Sequence, residues 1–199
     1  MEVAAVLEPK EIQIVLDQRA EREVAVAPRV EVRVADAYVL VGDLRVQPPK
    51  IRVSGPARQV AKLISIPTDS LVLEDVREPT QRVLGLRAPA GTNIEMSHAQ
   101  VVVDIEVQEL AEYELGSVPV EVRHAGGRSV APQPARVRVK LRGGAGVLGS
   151  LNPDRDLSLY VDYQEWVAGG RGSAPVRVVP NRLFEVREIT PPRVSLAAP

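Results

Sequence analysis

One motif recurs along this 199-residue chain and limits the folds open to it. In the runs that begin at Pro9, Pro48, Pro134 and Pro191, aliphatic residues follow the proline three and five positions later, and a run with the same spacing begins at His98. Proline fixes φ and has no amide hydrogen, so it suits the entrance of a strand. Residues two apart on a strand share a face. The motif therefore predicts strands that start near a proline and direct alternate aliphatic side chains toward a core.

The spacing of the motif predicts a duplicated unit. Alternate copies lie 86 to 93 residues apart, whereas neighbouring copies alternate between a short and a long interval. A unit of about 90 residues has the size of a small domain. We therefore expect two repeats, 18–107 and 108–199. Residues 1–17 match the C-terminal strand of a preceding repeat, which predicts that the natural chain continues upstream.

Composition favours strands over helices. Valine is the dominant apolar residue, aromatic residues make up only 3% of the chain, and 14 Gly and 17 Pro interrupt the apolar runs. β-branched residues separated by turn formers are typical of short strands joined by tight connections. The fold class predicted is mainly all-β, with tandem elongated β domains that each hold one short helix.

The helix of the first repeat is predicted directly after Ser54-Gly55. Pro56 suits the first helical position, where the missing amide hydrogen costs nothing. Val60, Leu63 and Ile64 then follow the spacing of one apolar stripe, which we expect to pack on the sheet. A lone Gly-Pro lacks the several glycines of a phosphate-binding loop, so we interpret this corner as a structural turn.

Charge and cysteine content exclude several classes of function. The chain has 25 Lys+Arg against 26 Asp+Glu, whereas nucleic-acid binding normally requires a basic surplus. The chain has no cysteine, which rules out disulfides, thiolate metal sites and cysteine nucleophiles. No apolar run of the sequence is long enough to span a bilayer. We expect no nucleic-acid partner.

The residues that most often carry chemistry are scattered. His98 and His124 are the two histidines, and neither has Asp or Glu at ligand spacing. Asp154 and Asp156 follow Asn152-Pro153, which is typical of a turn. The sequence therefore predicts no enzyme activity, no cofactor, no metal and no small-molecule substrate.

One aromatic cluster predicts a partner-binding surface. Tyr163 and Trp166 precede the flexible run Gly169–Gly172, which contains Arg171. An aromatic pair beside such a loop can form a platform for a protein or a sugar. The alternative is that both rings pack beneath a hairpin in a core poor in aromatic residues.

Four segments of the first repeat together resemble the YbbR domain family. They are the run VQPPKIRVSGPARQVAKL (46–63), the strand-like SLVLE (70–74), LGLRAPAGT (84–92) and VVVDIE (101–106). The most specific part is the proline-led strand that ends in Gly-Pro before a short helix. The resemblance covers 18–107 well and 108–197 more loosely, because the Gly-Pro is lost there and residues are inserted near Gly143–Gly149.

The resemblance implies elongated β modules, similar to those of the L25 class of ribosomal proteins, strung in tandem outside the cytoplasmic membrane. It implies a non-catalytic extracytoplasmic interaction module whose protein partner is a membrane diadenylate cyclase, the enzyme that makes cyclic di-AMP. Family members are tethered by an N-terminal helix that is absent from this chain, and the family supplies no catalytic residues. Two alternatives remain: an RNA-binding protein of the L25 type, and a hydrolase, carbohydrate-binding or cell-envelope structural module. The hydrolase or carbohydrate binder would use Trp166 and Asp156.

Overall fold

A computed structural model of the protein describes residues 17–197, so the predicted strand remnant at 1–17 lies outside the described residues except for Asp17. The predicted all-β class is confirmed, because strands account for most of the described chain. The strands are β1 (Arg19–Val34), β2 (Tyr38–Leu40), β3 (Arg45–Gln47), β4 (Lys50–Pro56), β5 (Ser65–Val76), β6 (Thr80–Gly85), β7 (Glu95–Met96), β8 (Gln100–Ile105), β9 (Val107–Arg123), β10 (Ala131–Gln133), β11 (Arg136–Gly144), β12 (Leu159–Asp162), β13 (Ala174–Pro175), β14 (Arg177–Val178), β15 (Phe184–Thr190) and β16 (Arg193–Ala197). The helices are α1 (Ala57–Lys62), α2 (Ala145–Ser150), α3 (Pro153–Asp156) and α4 (Tyr163–Ala168).

The strands assemble into four sheets. Their orders are β5-β1-β4-β7, β3-β8-β6, β10-β16-β13 and β14-β12-β9-β11-β15, and β2 pairs with β9 in the last of these. Most pairs with a defined register are antiparallel, and the exception is β12, which runs parallel to β9. No helix between residues 17 and 197 is both long enough and apolar enough to span a membrane.

The described residues group into two compact units, each assembled from separate parts of the chain. Unit 1 contains 17–29, 46–70 and 83–103, and unit 2 contains 30–45, 71–82 and 104–197. The predicted repeats at 18–107 and 108–199 are each continuous in sequence, whereas each compact unit combines separate segments. The boundaries of the repeats stay a prediction.

Each motif copy within the described residues marks a corner at which the chain leaves one sheet and enters another. Pro48, Pro134 and Pro191 follow cis peptide bonds and lie between β3 and β4, β10 and β11, and β15 and β16. His98 lies at the equivalent corner between β7 and β8. The aliphatic residues three and five positions later are all buried, as predicted: Ile51, Val53, Val101, Val103, Val137, Val139, Val194 and Leu196.

Strand pairing around the corners repeats along the chain. In the first set of corners β4 pairs with β7 while β3 pairs with β8, and in the second set β11 pairs with β15 while β10 pairs with β16. The pairs β1–β4 and β9–β11 place core residues opposite each other, Val24 against Ile51 and Val118 against Val137. The pairing pattern around these corners is therefore repeated along the described chain.

The first predicted helix forms, but it ends before the last two residues of its predicted apolar stripe, Leu63 and Ile64. α1 ends at Lys62 and its C-cap, Leu63, is already extended, so Ile64 lies beyond the helix and is 89% exposed. Val60 and Leu63 are buried as expected. Pro56 is the N-cap of α1 and not its first residue. The assignment of Ile64 to the packed stripe was therefore wrong.

The expectation of one short helix per repeat holds for the first repeat only, since the described part of 108–199 contains α2, α3 and α4. The two additional helices begin at side-chain caps, and the sequence predicted a turn at the first of these caps, Asn152. Asn152 Oδ1 accepts a hydrogen bond from Asp154 N, and Asp162 Oδ1 accepts one from Gln164 N. Asn and Asp at these positions satisfy amides that have no partner inside the helix.

Candidate partner-binding surface

Helix α4 begins where β12 ends, and β12 lies between β14 and β9 in its sheet. Leu159 and Val161 are buried in the core of unit 2, so the alternating Tyr160 and Asp162 belong to the opposite face of the sheet. The Asp162 carboxylate caps α4 at 2.8 Å from Gln164 N. This local geometry places the start of α4 at the outer face of β12.

The predicted aromatic pair lies on one side of α4. The rings of Tyr163 and Trp166 have centroids 5.7 Å apart and are tilted by 45°. Residues three apart on a helix are neighbours, which explains why the two rings meet. Both side chains are partly buried and pack against the core of unit 2, so the packing role that the sequence left open is present. The indole Nε1 of Trp166 is buried and has no hydrogen-bond acceptor among the described residues.

Arginine side chains lie over two tyrosine rings of this region, Tyr163 and Tyr160. The Arg128 guanidinium carbon lies 5.5 Å from the centroid of Tyr163, and that of Arg123 lies 4.1 Å from the centroid of Tyr160. Both distances are within the range of cation–π attraction. The third predicted site residue, Arg171, is exposed, has φ +60°, and donates its backbone N–H to Trp166 O at 3.0 Å.

The carboxylates near α4 are already bonded. His124 Nδ1 lies 2.8 Å from Asp162 Oδ2, and this bond is the largest cause that lowers the pKa of Asp162 below its ordinary value. Burial of the carboxyl group opposes the shift, and the amides of Gln164 and Glu165 add to it. Glu165 accepts from Arg177 at 2.6 Å, and this bond raises the pKa of Arg177.

Sequence reasoning missed three residues of this region. His124 and Asp162 are 38 positions apart and meet because β9 and β12 are parallel neighbours, with Arg123 beside Asp162 in the register. Arg128 reaches Tyr163 from the loop that follows β9. Parallel pairing of distant strands leaves no local mark in a sequence, so no signal at the level of motifs could have found these contacts.

Ser54 and the second histidine, His98, have structural contacts. Ser54 is buried at the end of β4, where its hydroxyl accepts from Arg19 at 3.0 Å and lies 3.4 Å from a carboxylate oxygen of Glu95. His98 is exposed and bonds the hydroxyl of its neighbour Ser97 at 2.8 Å.

The carboxylates of α3 stabilise their own helix and strand neighbours. Asp156 Oδ2 accepts from Asn152 N at 2.9 Å, which together with Arg155 lowers the pKa of Asp156. Asp154 forms an ion pair with Arg136 at 2.9 Å. Within residues 17–197, no group of three or more His, Cys, Asp or Glu side chains is arranged to hold a metal ion.

Comparison with family models gives no match for this chain. No curated protein matches its sequence. Among solved structures, the chain is similar to the crystal structure of a YbbR-like protein from Streptococcus pneumoniae TIGR4, with a TM-score of 0.37 and 13% sequence identity. The match covers 92% of this chain and 96% of that chain. That protein carries the name of the family that the sequence motifs resemble.

Proposed function

We propose that the chain is a non-catalytic interaction module that binds a protein partner through the surface around α4. We call this the α4 surface and define it by Arg128, Tyr163, Trp166, Val167 and Arg171. The observation that carries the proposal is the adjacent Tyr163–Trp166 pair with Arg128 beside it. Tyr, Trp and Arg are the residue types enriched among the side chains that dominate the free energy of protein association.

The exposure of the α4 surface supports the same function. Val167 is 39% exposed, although it is a large apolar residue, and Tyr163 and Trp166 stay partly exposed beside it. Rigid aromatic side chains anchored on a core lose little conformational entropy on binding. A partner that covers this surface would therefore remove apolar area from water at a small entropic cost.

The polar groups considered as chemical candidates support a non-catalytic role. Asp154 and Asp156 stabilise α3 and its surroundings, and Asp162 caps α4. The near balance of 25 Lys+Arg against 26 Asp+Glu argues against the alternative of RNA binding over the whole chain.

The identity of the partner follows from the sequence resemblance. The YbbR-like motifs in 46–106 direct the proposal to a membrane diadenylate cyclase that the module regulates from outside the cytoplasmic membrane. Tethering by an N-terminal helix would hold such a module near the enzyme and raise its effective concentration.

The proposal is tested by adding the chain to a diadenylate cyclase reconstituted in lipid nanodiscs and measuring both binding and cyclic di-AMP formation. Trp166→Ala removes the larger ring of the pair, and we expect it to weaken binding by about tenfold or more, as for a residue that anchors an interface. Tyr113→Ala is the matched control, because Tyr113 is 42% exposed on β9 and lies outside the α4 surface.

Weaker binding for Trp166→Ala with unchanged binding for Tyr113→Ala supports the proposal. Equal effects of the two variants would show that the α4 surface is not the interface. A chain that binds the nanodisc-embedded cyclase no better than empty nanodiscs would overturn the assignment of the partner.

A further inference from the structure

We infer that the α4 surface recognises an acidic segment of its protein partner, rich in Asp and Glu; this inference rests on the proposed function. The first observation is an uneven distribution of charge along the chain. The stretch 120–178, which contains α4, has nine Lys and Arg against five Asp and Glu, a formal charge of +4 in a chain whose total is −1. Arg138 and Lys140 pair with Glu114 and Glu188, which lie outside the stretch, so seven basic residues remain against five acidic ones. The part of the chain that contains the α4 surface therefore keeps a surplus of two basic residues.

The second observation concerns which of these charges are neutralised. Asp162 is bonded to His124 and to the first turn of α4, and Glu165 is bonded to Arg177. Arg128 and Arg171 form no ion pair in the part of the chain that the structure describes. The two carboxylates of the α4 region are therefore engaged by other groups, and the two arginines keep their charge available.

The third observation is the environment of Arg128. Its guanidinium lies over the face of Tyr163, 5.5 Å from the ring centroid, and Tyr163 in turn contacts Trp166. Stacking on a ring restricts the guanidinium without using its N–H groups in the ring plane. An arginine held in this way presents its N–H fork to a carboxylate, which it can bind through two parallel hydrogen bonds.

An acidic protein segment fits these features better than a nucleic acid does. Nucleic-acid binding takes its affinity from the neutralisation of many phosphates, and two uncompensated arginines supply few such contacts. Two arginines beside an aromatic pair match a short segment with carboxylates near an apolar residue.

The test uses Trp166 as its own reporter, because it is the single tryptophan of the chain. The full chain is titrated at low salt with a capped (Glu-Ser)5 peptide, with a capped (Gln-Ser)5 peptide, and with a ten-nucleotide uridine RNA, while Trp166 emission is recorded. We expect binding of (Glu-Ser)5 only. Charge reversal by Arg128→Glu or Arg171→Glu should weaken that binding by up to about fivefold, the effect of losing one exposed charge pair.

Arg52→Glu is the matched control. Arg52 is exposed on β4, and its hydrogen bonds with Ser97 use the backbone N–H and C=O, which the substitution keeps. Binding of (Glu-Ser)5 by Arg52→Glu should equal that of the unmodified chain. Circular dichroism of each variant should match that of the unmodified chain, so that a loss of binding reports on charge.

Three results would overturn the inference: equal affinity for the two peptides, binding that survives both charge reversals, or tighter binding of the RNA than of (Glu-Ser)5. None of these would by itself remove the proposed function. If Trp166→Ala still weakens binding to the reconstituted cyclase, the α4 surface stays the interface and only the acidic class of partner segment is wrong.

Discussion

The two proline corners that lead into a helix, Pro48 to α1 and Pro134 to α2, reach the same geometry with different residues. Each corner passes into a strand, β4 or β11, and each strand passes directly into a six-residue helix that ends at a leucine C-cap. The first helix follows Gly55-Pro56 and the second follows Gly143-Gly144. The glycine is therefore the residue that both corners share, whereas the N-cap of the helix is Pro56 in one corner and Gly144 in the other.

The shared glycine has a steric reason. A Cβ on Gly55 would lie 2.7 Å from the carbonyl oxygen of Asn93, and a Cβ on Gly143 would lie 3.0 Å from Cβ of Phe184. In both corners the glycine therefore allows the close approach of the segment that runs into the neighbouring strand, β7 or β15.

The two helices also receive equivalent caps from outside. Asp17 Oδ2 accepts from Arg58 N at 3.0 Å in α1, and Gln108 Oε1 accepts from Val147 N at 3.1 Å in α2. Each capping residue lies two positions before the residue that pairs with the helix N-cap, Arg19 opposite Pro56 and Leu110 opposite Gly144. The two corners therefore share a glycine, a six-residue helix and an external cap, whereas α3 and α4 occur in the described part of the second repeat only.

The largest effect should come from the buried valines of the two corners. Val53 and Val139 occupy the same motif position and are both fully buried, so Val53→Ala and Val139→Ala should each lower the free energy of unfolding by about 2–3 kcal/mol through the cavity left behind. Denaturant titration of the full chain measures both. Val72→Ala, at a 53% exposed position of β5, should change the free energy by less than about 0.5 kcal/mol. A valine that tolerates alanine would break the equivalence of the corners.

Alanine at the two corner glycines should lower the free energy of unfolding by different amounts. Gly55→Ala should cost about 2 kcal/mol and Gly143→Ala about 1 kcal/mol, because the added Cβ would lie 2.7 Å from a backbone oxygen in the first case and 3.0 Å from Cβ of Phe184 in the second. Gly116→Ala is the control, since a Cβ at Gly116 meets nothing within 4 Å. Midpoints of denaturant unfolding give the order, and a neutral Gly143→Ala would show that the glycine is not a shared requirement.

Removal of the external caps should have a smaller effect. Asp17→Ala and Gln108→Ala should each cost about 1 kcal/mol of unfolding free energy, the usual value for a lost cap. Asp17→Asn keeps an acceptor and should recover most of the loss. Gln100→Ala, an exposed position at the start of β8, serves as the control. If hydrogen exchange of the first turn of α2 stays unchanged in Gln108→Ala, the amide of Gln108 is not the cap.

The smallest effect concerns α4, which has no counterpart in the first repeat. The bond to His124 lowers the pKa of Asp162 in the folded chain, so ionised Asp162 stabilises the fold above the unfolded pKa, about 3.9, and this stability is lost as pH falls through the folded pKa. Asp162→Asn should therefore flatten the decline in unfolding free energy below about pH 4. Asp36→Asn, an exposed turn residue, should leave the decline unchanged. Identical pH profiles for Asp162→Asn and the unmodified chain would contradict the role of the bond.

The corners and the buried faces of the strands that follow them were predictable, because they depend on interactions between residues close in sequence. The positions of Pro48, Pro134 and Pro191 gave the corners, and the two-residue alternation after them gave the buried face. The equivalence of Gly143 to Gly55 was not predictable from the motif offset, because β11 is two residues longer than β4 and moves the glycine from its expected position. The helix α4 was also missed, since Asp162 resembles an ordinary strand end until its carboxylate caps the next turn.

The sequence by itself determined the class of fold, the places where strands begin and the side chains that face a core, because backbone restriction by proline and the two-residue period of a strand act between near neighbours. Only the tertiary structure decided that Ile64 is exposed, that Gln108 caps α2, and that His124 meets Asp162 beside the Tyr163–Trp166 pair. These outcomes depend on contacts between residues tens of positions apart, which are set by strand order and register rather than by any local pattern.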